Sequence, residues 1–184
     1  MTARHGDAIP ADLRVRLAAA LRSVPDFPRP GIVFKDITLI LGNPALFAEL
    51  IEAMAVPWKE QGITHVAGIE SRGFILAAPI ALVLGIGFIP IRKPGKLPWH
   101  TVGMDYALEY GHDRLEMHVD ACPFPARVLV VDDVLATGGT AVTAAALIEQ
   151  AGGTVSGCAF LLSIGALGGA ARLGARTVCC LLES

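Results

Sequence analysis

Uninterrupted apolar stretches alternate with segments of helical periodicity over most of this chain. Strands that are apolar throughout are typical of a sheet covered on both faces, and helices between such strands make them parallel. The pattern therefore predicts an α/β fold on a parallel sheet, with helices over 73–84 and 140–153 and a short helix before the last strand. The predicted strands of this sheet are 64–70, 87–91, 128–133, 154–164 and 177–182.

Two further helices are predicted ahead of the first of these strands. The segment 11–24 has helical apolar spacing, and the three prolines of 25–31 end it. A second helix begins at Asn43-Pro44, because asparagine is a good N-cap and proline suits the first turn. Its apolar positions continue to Met54, and Pro57 disturbs it.

One long segment, 94–120, does not fit the alternation of strands and helices. It is rich in glycine and polar residues, and it ends in the alternating pattern of an antiparallel strand at 114–119. Long insertions in compact α/β domains are usually functional, so we predict a flap over about 92–120. No linker-like composition divides the chain, which predicts a single domain over 1–184.

Composition argues against several classes of protein. A chain that is 53% hydrophobic and 17% charged is globular, and a formal net charge of −2 does not suit a general nucleic-acid binder. The segment 73–91 carries no charged side chain. However, Pro79, Gly85, Gly87 and Pro90 divide it into a buried helix and a strand, which argues against a membrane span.

The cysteines and the N-terminal segment bear on the cellular compartment. The four cysteines show neither C-x-x-C pairing nor zinc spacing, which indicates reduced thiols. The first residues contain no apolar signal core. Both features favour a cytoplasmic protein.

The stretch 128–141, "VLVVDDVLATGGTA", carries the clearest chemistry. An apolar strand stops at Asp132 and Asp133, and a glycine-rich turn then leads into a helix. Backbone N–H groups and the hydroxyls of Thr137 and Thr140 would converge at the positive end of that helix, which suits a phosphate monoester. No lysine follows the glycines and no G-x-G-x-x-G is present, so neither a triphosphate nor a dinucleotide is indicated. The two carboxylates suit the hydroxyls of a ribose attached to that phosphate.

This stretch resembles the phosphoribosyl-diphosphate (PRPP) signature of the type I phosphoribosyltransferase family. Three further stretches, 25–38, 68–81 and 91–111, are similar to those of its adenine-specific members. The resemblance runs from about residue 17 to about residue 182. It implies a Rossmann-like type I phosphoribosyltransferase core with a base-binding hood within about 1–40 and an antiparallel flap.

The resemblance implies an activity in purine salvage, in which the phosphoribosyl group of PRPP is transferred to adenine to give AMP and pyrophosphate. It also implies Mg²⁺, held mainly by PRPP and water without a direct protein ligand, and a homodimer with shared sites. Two alternatives stay open. One is a phosphoribosyltransferase for xanthine or hypoxanthine, and the other is a non-catalytic regulator that senses PRPP.

The resemblance also assigns roles to individual residues. The implied ligands of the ribose and its 5′-phosphate are Asp132, Asp133, Ala136, Thr137, Gly138, Gly139 and Thr140. The implied pyrophosphate ligands are Glu70, Ser71, Arg72, Gly73, Arg92, Lys93 and Lys96. The implied adenine-binding residues are Val33, Phe34 and Lys35, and the implied catalytic residues are Glu109, Arg72 and Tyr110.

Relatives add detail at three positions. The peptide corresponding to Glu70–Ser71 is cis in relatives. A carboxylate at Glu109 would handle the proton at N7 of the purine, contributing about 10²–10⁴ in rate. Relatives often carry arginine where this chain has Lys35, so stacking of a planar guanidinium on the purine is lost here. Phe27 and Phe34 are expected to belong mainly to the core.

Overall fold

The computed structural model describes residues 9–108 and 111–184. The helices are α1 (Ala11–Ala20), α2 (Thr38–Leu41), α3 (Pro44–Ala55), α4 (Arg72–Leu84), α5 (Gly139–Gln150) and α6 (Gly169–Arg172). The strands are β1 (Arg22–Pro25), β2 (Val33–Asp36), β3 (His65–Ile69), β4 (Gly87–Ile91), β5 (Thr101–Leu108), β6 (Gly111–His118), β7 (Arg127–Leu135), β8 (Thr154–Ser163) and β9 (Val178–Glu183). Short 3₁₀ turns lie at Val56–Trp58 and Gly165–Leu167.

Five strands form the central parallel sheet, in the order β4-β3-β7-β8-β9. The connection from β3 to β4 runs through α4, and the connection from β7 to β8 runs through α5. Leu76 and Ile80 of α4 belong to one buried cluster, whereas Ala144 and Leu147 of α5 belong to another. The two helices therefore cover opposite faces of the sheet, and the predicted α/β fold is confirmed.

The N-terminal helix is shorter than predicted. It ends at Ala20, Leu21 has extended backbone angles (φ −82°, ψ 110°), and the chain continues as β1. β1 pairs antiparallel with β2, forming a separate two-stranded sheet. The helix prediction for 21–24 is wrong, because pairing with a strand that follows the proline-rich turn outweighs the local apolar spacing.

The second predicted helix is confirmed as α3. Asn43 caps it, since its side-chain oxygen accepts a hydrogen bond from the backbone N–H of Leu46 at 3.1 Å. The helix gives way to a 3₁₀ turn that contains Pro57. The short helix α2, which precedes it, has no counterpart among the predicted elements.

The uncharged segment 73–91 folds as predicted into helix and strand, with a turn at Gly85 (φ +67°). Among the residues that the structure describes, no helix is long and apolar enough to cross a membrane. The helix is buried on one side only. Ile75, Leu82 and Val83 are 41%, 83% and 42% exposed, respectively.

The predicted flap contains an antiparallel hairpin of β5 and β6. Leu115 and Met117 of β6 are fully buried, within the same cluster as the apolar face of α5. Backbone hydrogen bonds of 2.8 and 2.7 Å pair Arg92, just after β4, with Glu116. The root of the flap is thus fixed to the main sheet.

The cap at Asn43 gives a test of the local structure. Asn43→Ala should lower the free energy of unfolding by about 1 kcal/mol, because the N–H of Leu46 loses its acceptor. Urea denaturation of both proteins measures this difference. Asn43→Asp keeps an acceptor at the positive helix end and should retain the stability. Equal losses in the two variants would contradict the capping role.

Candidate active site

Three neighbouring strand ends define the candidate site. The carboxyl ends of β4, β3 and β7 meet at one edge of the sheet. Because α4 leaves β3 toward one face and α5 leaves β7 toward the other, the gap between β3 and β7 is a topological switch point. Ligands of open α/β sheets bind at such points. The predicted site residues 70–73 and 92–96 directly follow the ends of β3 and β4. Residues 132–140 span the end of β7, which continues past the two carboxylates to Leu135.

Residues 136–140, here called the glycine loop, lead from β7 into α5. Gly138 precedes the helix with φ +81°, and Gly139 begins it. The first N–H groups of a helix have no acceptor within the helix, and the first turn of α5 holds no acidic side chain, so an anion is favoured there. The depression at this point is lined by Asp132, Phe160 and every predicted phosphate ligand: Ala136, Thr137, Gly138, Gly139 and Thr140.

The two adjacent carboxylates have different surroundings. Asp132 lines the depression, and its Oδ1 accepts a hydrogen bond from the Asp133 N–H at 2.9 Å. Asp133 is 3% exposed, and its Oδ2 lies 2.9 Å from Nε of Arg72. Asp132 therefore faces the glycine loop, whereas the charge of Asp133 is balanced by Arg72. That both carboxylates bind ribose stays a prediction.

Protonation of this pair is shifted by its environment. Burial raises the pKa of Asp132, and the neighbouring charge of Asp133 raises it further. Burial also raises the pKa of Asp133, although the charge of Arg72 opposes that effect. A positive charge or a hydrogen-bond donor placed at Asp132 would therefore favour its ionised form.

Arg72, the first residue of α4, connects the sheet edge with the N-terminal hairpin. Besides its ion pair with Asp133, it donates a hydrogen bond from NH1 to the carbonyl of Lys35 at 3.1 Å. The guanidinium carbon lies 4.5 Å from the centroid of the Phe34 ring. Arg72 thus links the hairpin to the carboxylate of Asp133.

The junction between β3 and α4 is unusually close to β7. The Glu70–Ser71 peptide is cis, as the resemblance implied. A Cβ atom added to Gly73 would lie 2.9 Å from Asp132 Oδ1 and 2.9 Å from the Val131 carbonyl oxygen. Any side chain at Gly73 would push α4 away from β7, so glycine is required for this close approach.

Glu70 contacts three residues after β4 that are predicted to bind pyrophosphate. Its carboxylate accepts hydrogen bonds from Lys96 Nζ at 2.9 Å, from Arg92 Nε at 3.3 Å and from the Lys93 N–H at 2.9 Å. Burial alone would raise the pKa of Glu70, but these hydrogen bonds outweigh it and lower the pKa to about 2. Glu70 is therefore ionised at neutral pH and fixes the positions of Arg92 and Lys96.

The side chain of Lys93 points into the flap. It forms an ion pair with Asp113 and a hydrogen bond of 3.0 Å with Tyr106 Oη, which itself donates to Asp113 at 3.0 Å. Sequence reasoning missed Tyr106 and Asp113. They meet because they are directly opposite in the β5–β6 pairing, and no sequence pattern gave that register.

The β1–β2 hairpin carries the predicted base-binding residues. Val33 is 51% exposed, and Lys35 donates a hydrogen bond from Nζ to Ser23 Oγ at 3.0 Å. Phe27 and Phe34 pack edge to face with their ring centroids 5.1 Å apart. Phe27 is 51% exposed, so its assignment to the core is wrong. A two-stranded hairpin has no second layer to cover its outer side chains.

Glu109 and Tyr110, predicted to be catalytic, lie outside the described residues. Within 9–108 and 111–184, no group of three or more His, Cys, Asp or Glu side chains is arranged to hold a metal ion. Asp132 offers a single carboxylate beside the glycine loop, and Mg²⁺ prefers oxygen ligands of this kind together with substrate phosphates.

The chain is similar to proteins of known family over most of its length. A family model described as a phosphoribosyl transferase domain matches residues 37–175. The adenine phosphoribosyltransferase of Myxococcus xanthus strain DK1622 is 57% identical over 166 residues, which cover 90% of each chain.

Solved structures show the same relationship. The adenine phosphoribosyltransferase of Rhodothermus marinus DSM 4252 matches with a TM-score of 0.91 and 52% identity, covering 95% of this chain and 100% of the other. The enzyme of Saccharomyces cerevisiae, complexed with an imino-altritol bisphosphate and adenine, matches with a TM-score of 0.88 and 38% identity, covering 94% and 99%. With its sheet, hairpin and glycine loop arranged as described, this chain belongs to the adenine phosphoribosyltransferase family.

Proposed function

We infer that this protein transfers the phosphoribosyl group of PRPP to adenine, giving AMP and pyrophosphate in purine salvage. One observation carries this inference. The N-terminus of α5, preceded by the glycine loop, lies directly beside Asp132 at the switch point of the sheet. That arrangement suits a sugar phosphate, and relatives that match nearly the whole chain bear the name adenine phosphoribosyltransferase.

In this proposal the 5′-phosphate lies in the glycine loop, with the hydroxyls of Thr137 and Thr140 adding to the backbone N–H groups. Asp132 binds the ribose hydroxyls. Asp133 is proposed to share that task, and its carboxylate also orients Arg72. The exposed Val33 and the guanidinium of Arg72 place the base against the N-terminal hairpin.

The pyrophosphate group lies between the starts of α4 and the flap. The N-terminus of α4, including Ser71 and Gly73, favours an anion, and Arg92 and Lys96 supply positive charge nearby. We propose Mg²⁺ as the cofactor, held mainly by PRPP and water. When bound, the ion neutralises charge on the departing pyrophosphate.

Bond breaking at the anomeric carbon leaves positive charge on the ribose ring. The protein contributes positioning and electrostatics to this step, because ionised Asp132 and Asp133 stabilise a cation above the glycine loop. The flap has the further task of excluding water, which would otherwise trap the cation by hydrolysis.

Purified protein tests this function directly. Incubation with PRPP, Mg²⁺ and adenine should produce AMP, whereas hypoxanthine and xanthine should react much more slowly. Faster turnover with hypoxanthine or xanthine would assign the protein to another purine. PRPP binding without turnover of any purine would instead indicate a regulator.

We also propose a homodimer, for which the outer side of α4 provides support. Ile75 and Leu82 lie seven residues apart on this helix and are 41% and 83% exposed, and Phe88 on the edge strand β4 is 38% exposed. Contiguous apolar surfaces of this kind mark interfaces between proteins. This surface adjoins the end of β4, so a partner subunit there would lie close to Arg92.

The cytoplasm is the proposed compartment. All four cysteines fall within the described residues, and three of them, Cys122, Cys158 and Cys179, are buried free thiols. Burial raises the pKa of Cys158 to about 12, which keeps that thiol protonated and unreactive. Reduced, buried cysteines of this kind are typical of a reducing compartment.

The glycine loop gives a prediction about PRPP affinity. Thr140→Val should weaken PRPP binding by about 1–2 kcal/mol, because the phosphate loses a hydroxyl hydrogen bond. Calorimetric titration with PRPP measures the change. Thr154→Val is the matched control. Thr154 is exposed at the amino end of β8, away from the glycine loop, and this variant should bind PRPP normally. An unchanged dissociation constant in Thr140→Val would show that the loop does not hold the phosphate.

The role of Glu109 yields a second prediction. Glu109→Leu should reduce kcat by about 10²-fold or more, since a carboxylate that handles the N7 proton is lost. Glu109→Gln keeps the shape and one hydrogen bond and should reduce kcat modestly. PRPP affinity should stay near wild type in both variants. Turnover of Glu109→Leu at the wild-type rate would make Glu109 a surface group only.

The proposed interface can be tested by charge insertion. Leu82→Asp should convert the dimer into a monomer at micromolar concentration, because burying an unpaired carboxylate is unfavourable. Light scattering reports the mass. Val15→Asp, at a position of α1 that is 68% exposed, is the control and should stay dimeric. A monomeric wild-type protein, or a dimeric Leu82→Asp variant, would contradict this interface.

A further inference from the structure

The start of α6 packs directly on the glycine loop. A Cβ atom added to Gly169 would overlap the Ala136 carbonyl oxygen and would lie 3.0 Å from the Gly138 nitrogen. A Cβ atom added to Gly138 would in turn lie 2.7 Å from the Gly169 carbonyl oxygen. The two backbones are therefore in contact at a distance that no side chain permits.

The backbone conformation at residue 169 does not itself require glycine. Gly138, Gly168 and Gly174 have positive φ angles, whereas Gly169 does not. An alanine at Gly169 would be free of that strain, and the atoms nearest to its Cβ would be those of the glycine loop. The close contact with Ala136 and Gly138 is thus the physical reason for glycine at this position.

Two hydrogen bonds hold the same segments together. The Ile164 N–H donates to the Leu135 carbonyl at 2.9 Å, just before the glycine loop. Arg172 donates from NH1 to the Thr137 carbonyl at 3.1 Å. Because the C=O and N–H of a trans peptide point in opposite directions, fixing the Thr137 carbonyl also sets the direction of the next N–H.

We propose that Gly169 and Arg172 are positioning residues, which set the conformation of the glycine loop for the 5′-phosphate without touching the substrate. This proposal rests on the proposed function, which places the phosphate in that loop. Backbone donors act on a bound anion at about 2.7–3.1 Å, so a displacement below 1 Å weakens several hydrogen bonds together. Adenine binds elsewhere, on the N-terminal hairpin, and should not sense the displacement.

Gly169→Ala tests the contact. The dissociation constant for ribose 5-phosphate, measured by calorimetry, and the KM for PRPP should each rise about tenfold or more, while the KM for adenine changes less than about twofold. Gly174→Ala is the matched control. Gly174 lies beyond the other end of α6 with φ +66°, and nothing lies within 4 Å of an added Cβ. This variant should lose stability and keep its PRPP affinity.

The proposal is overturned if Gly169→Ala binds ribose 5-phosphate as tightly as wild type. It is equally overturned if both glycine variants lose the same affinity, because the effect would then reflect general destabilisation.

Arg172 provides a second test that holds even if Gly169→Ala does not fold. Arg172→Gln should raise the KM for PRPP several-fold, and Arg172→Lys, which keeps a cationic donor, should recover part of the loss. Arg176→Gln is the control, since its guanidinium pairs with Glu149 and not with the loop. Normal phosphate binding by Arg172→Gln would contradict its positioning role.

Ribose 5-phosphate carries no base, so its binding tests the phosphate site independently of the transfer to adenine. A wild-type protein that binds ribose 5-phosphate but makes no AMP would refute the proposed function alone, and the variants would still decide the role of Gly169. A wild-type protein that does not bind ribose 5-phosphate would refute both.

Discussion

The close approach of α4 to the end of β7 is the constraint on which the site depends. Gly73 leaves no room for a side chain between that helix and Asp132. α4 and α5 follow the adjacent strands β3 and β7, so the positive ends of both helices face one crevice. A substrate with phosphate groups on both sides of a ribose matches this arrangement of charge.

Charged side chains around the crevice are paired with one another, and these pairs fix the N-terminal hairpin and the flap against the sheet. Asp133 holds Arg72, which reaches the hairpin through the carbonyl of Lys35. Glu70 holds Arg92 and Lys96 at the root of the flap. Its pKa of about 2 keeps these contacts ionic at neutral pH. Side chains therefore connect hairpin, sheet and flap.

Much of the fold was predictable because its signals are local. Apolar strands, their helical connections and the cap at Asn43 each depend on residues that are neighbours in sequence. The glycine loop was predictable for the same reason, since strand, carboxylates, glycines and helix follow one another within 128–141. The wrong predictions concern the N-terminal hairpin. β1 replaces the predicted end of a helix, because it pairs with β2. Phe27 is exposed, because no further layer covers the hairpin.

The sequence by itself determined the α/β class, the position of the glycine loop between β7 and α5, and the family resemblance. Tertiary structure alone decided how the charges are shared: Asp133 with Arg72, Lys93 with Asp113 and Tyr106, and Glu70 with the cations after β4. The contact of Gly169 with the glycine loop belongs to the same group. These partners lie on different elements, and their distances follow from strand order, register and helix packing, which no local pattern of residues encodes.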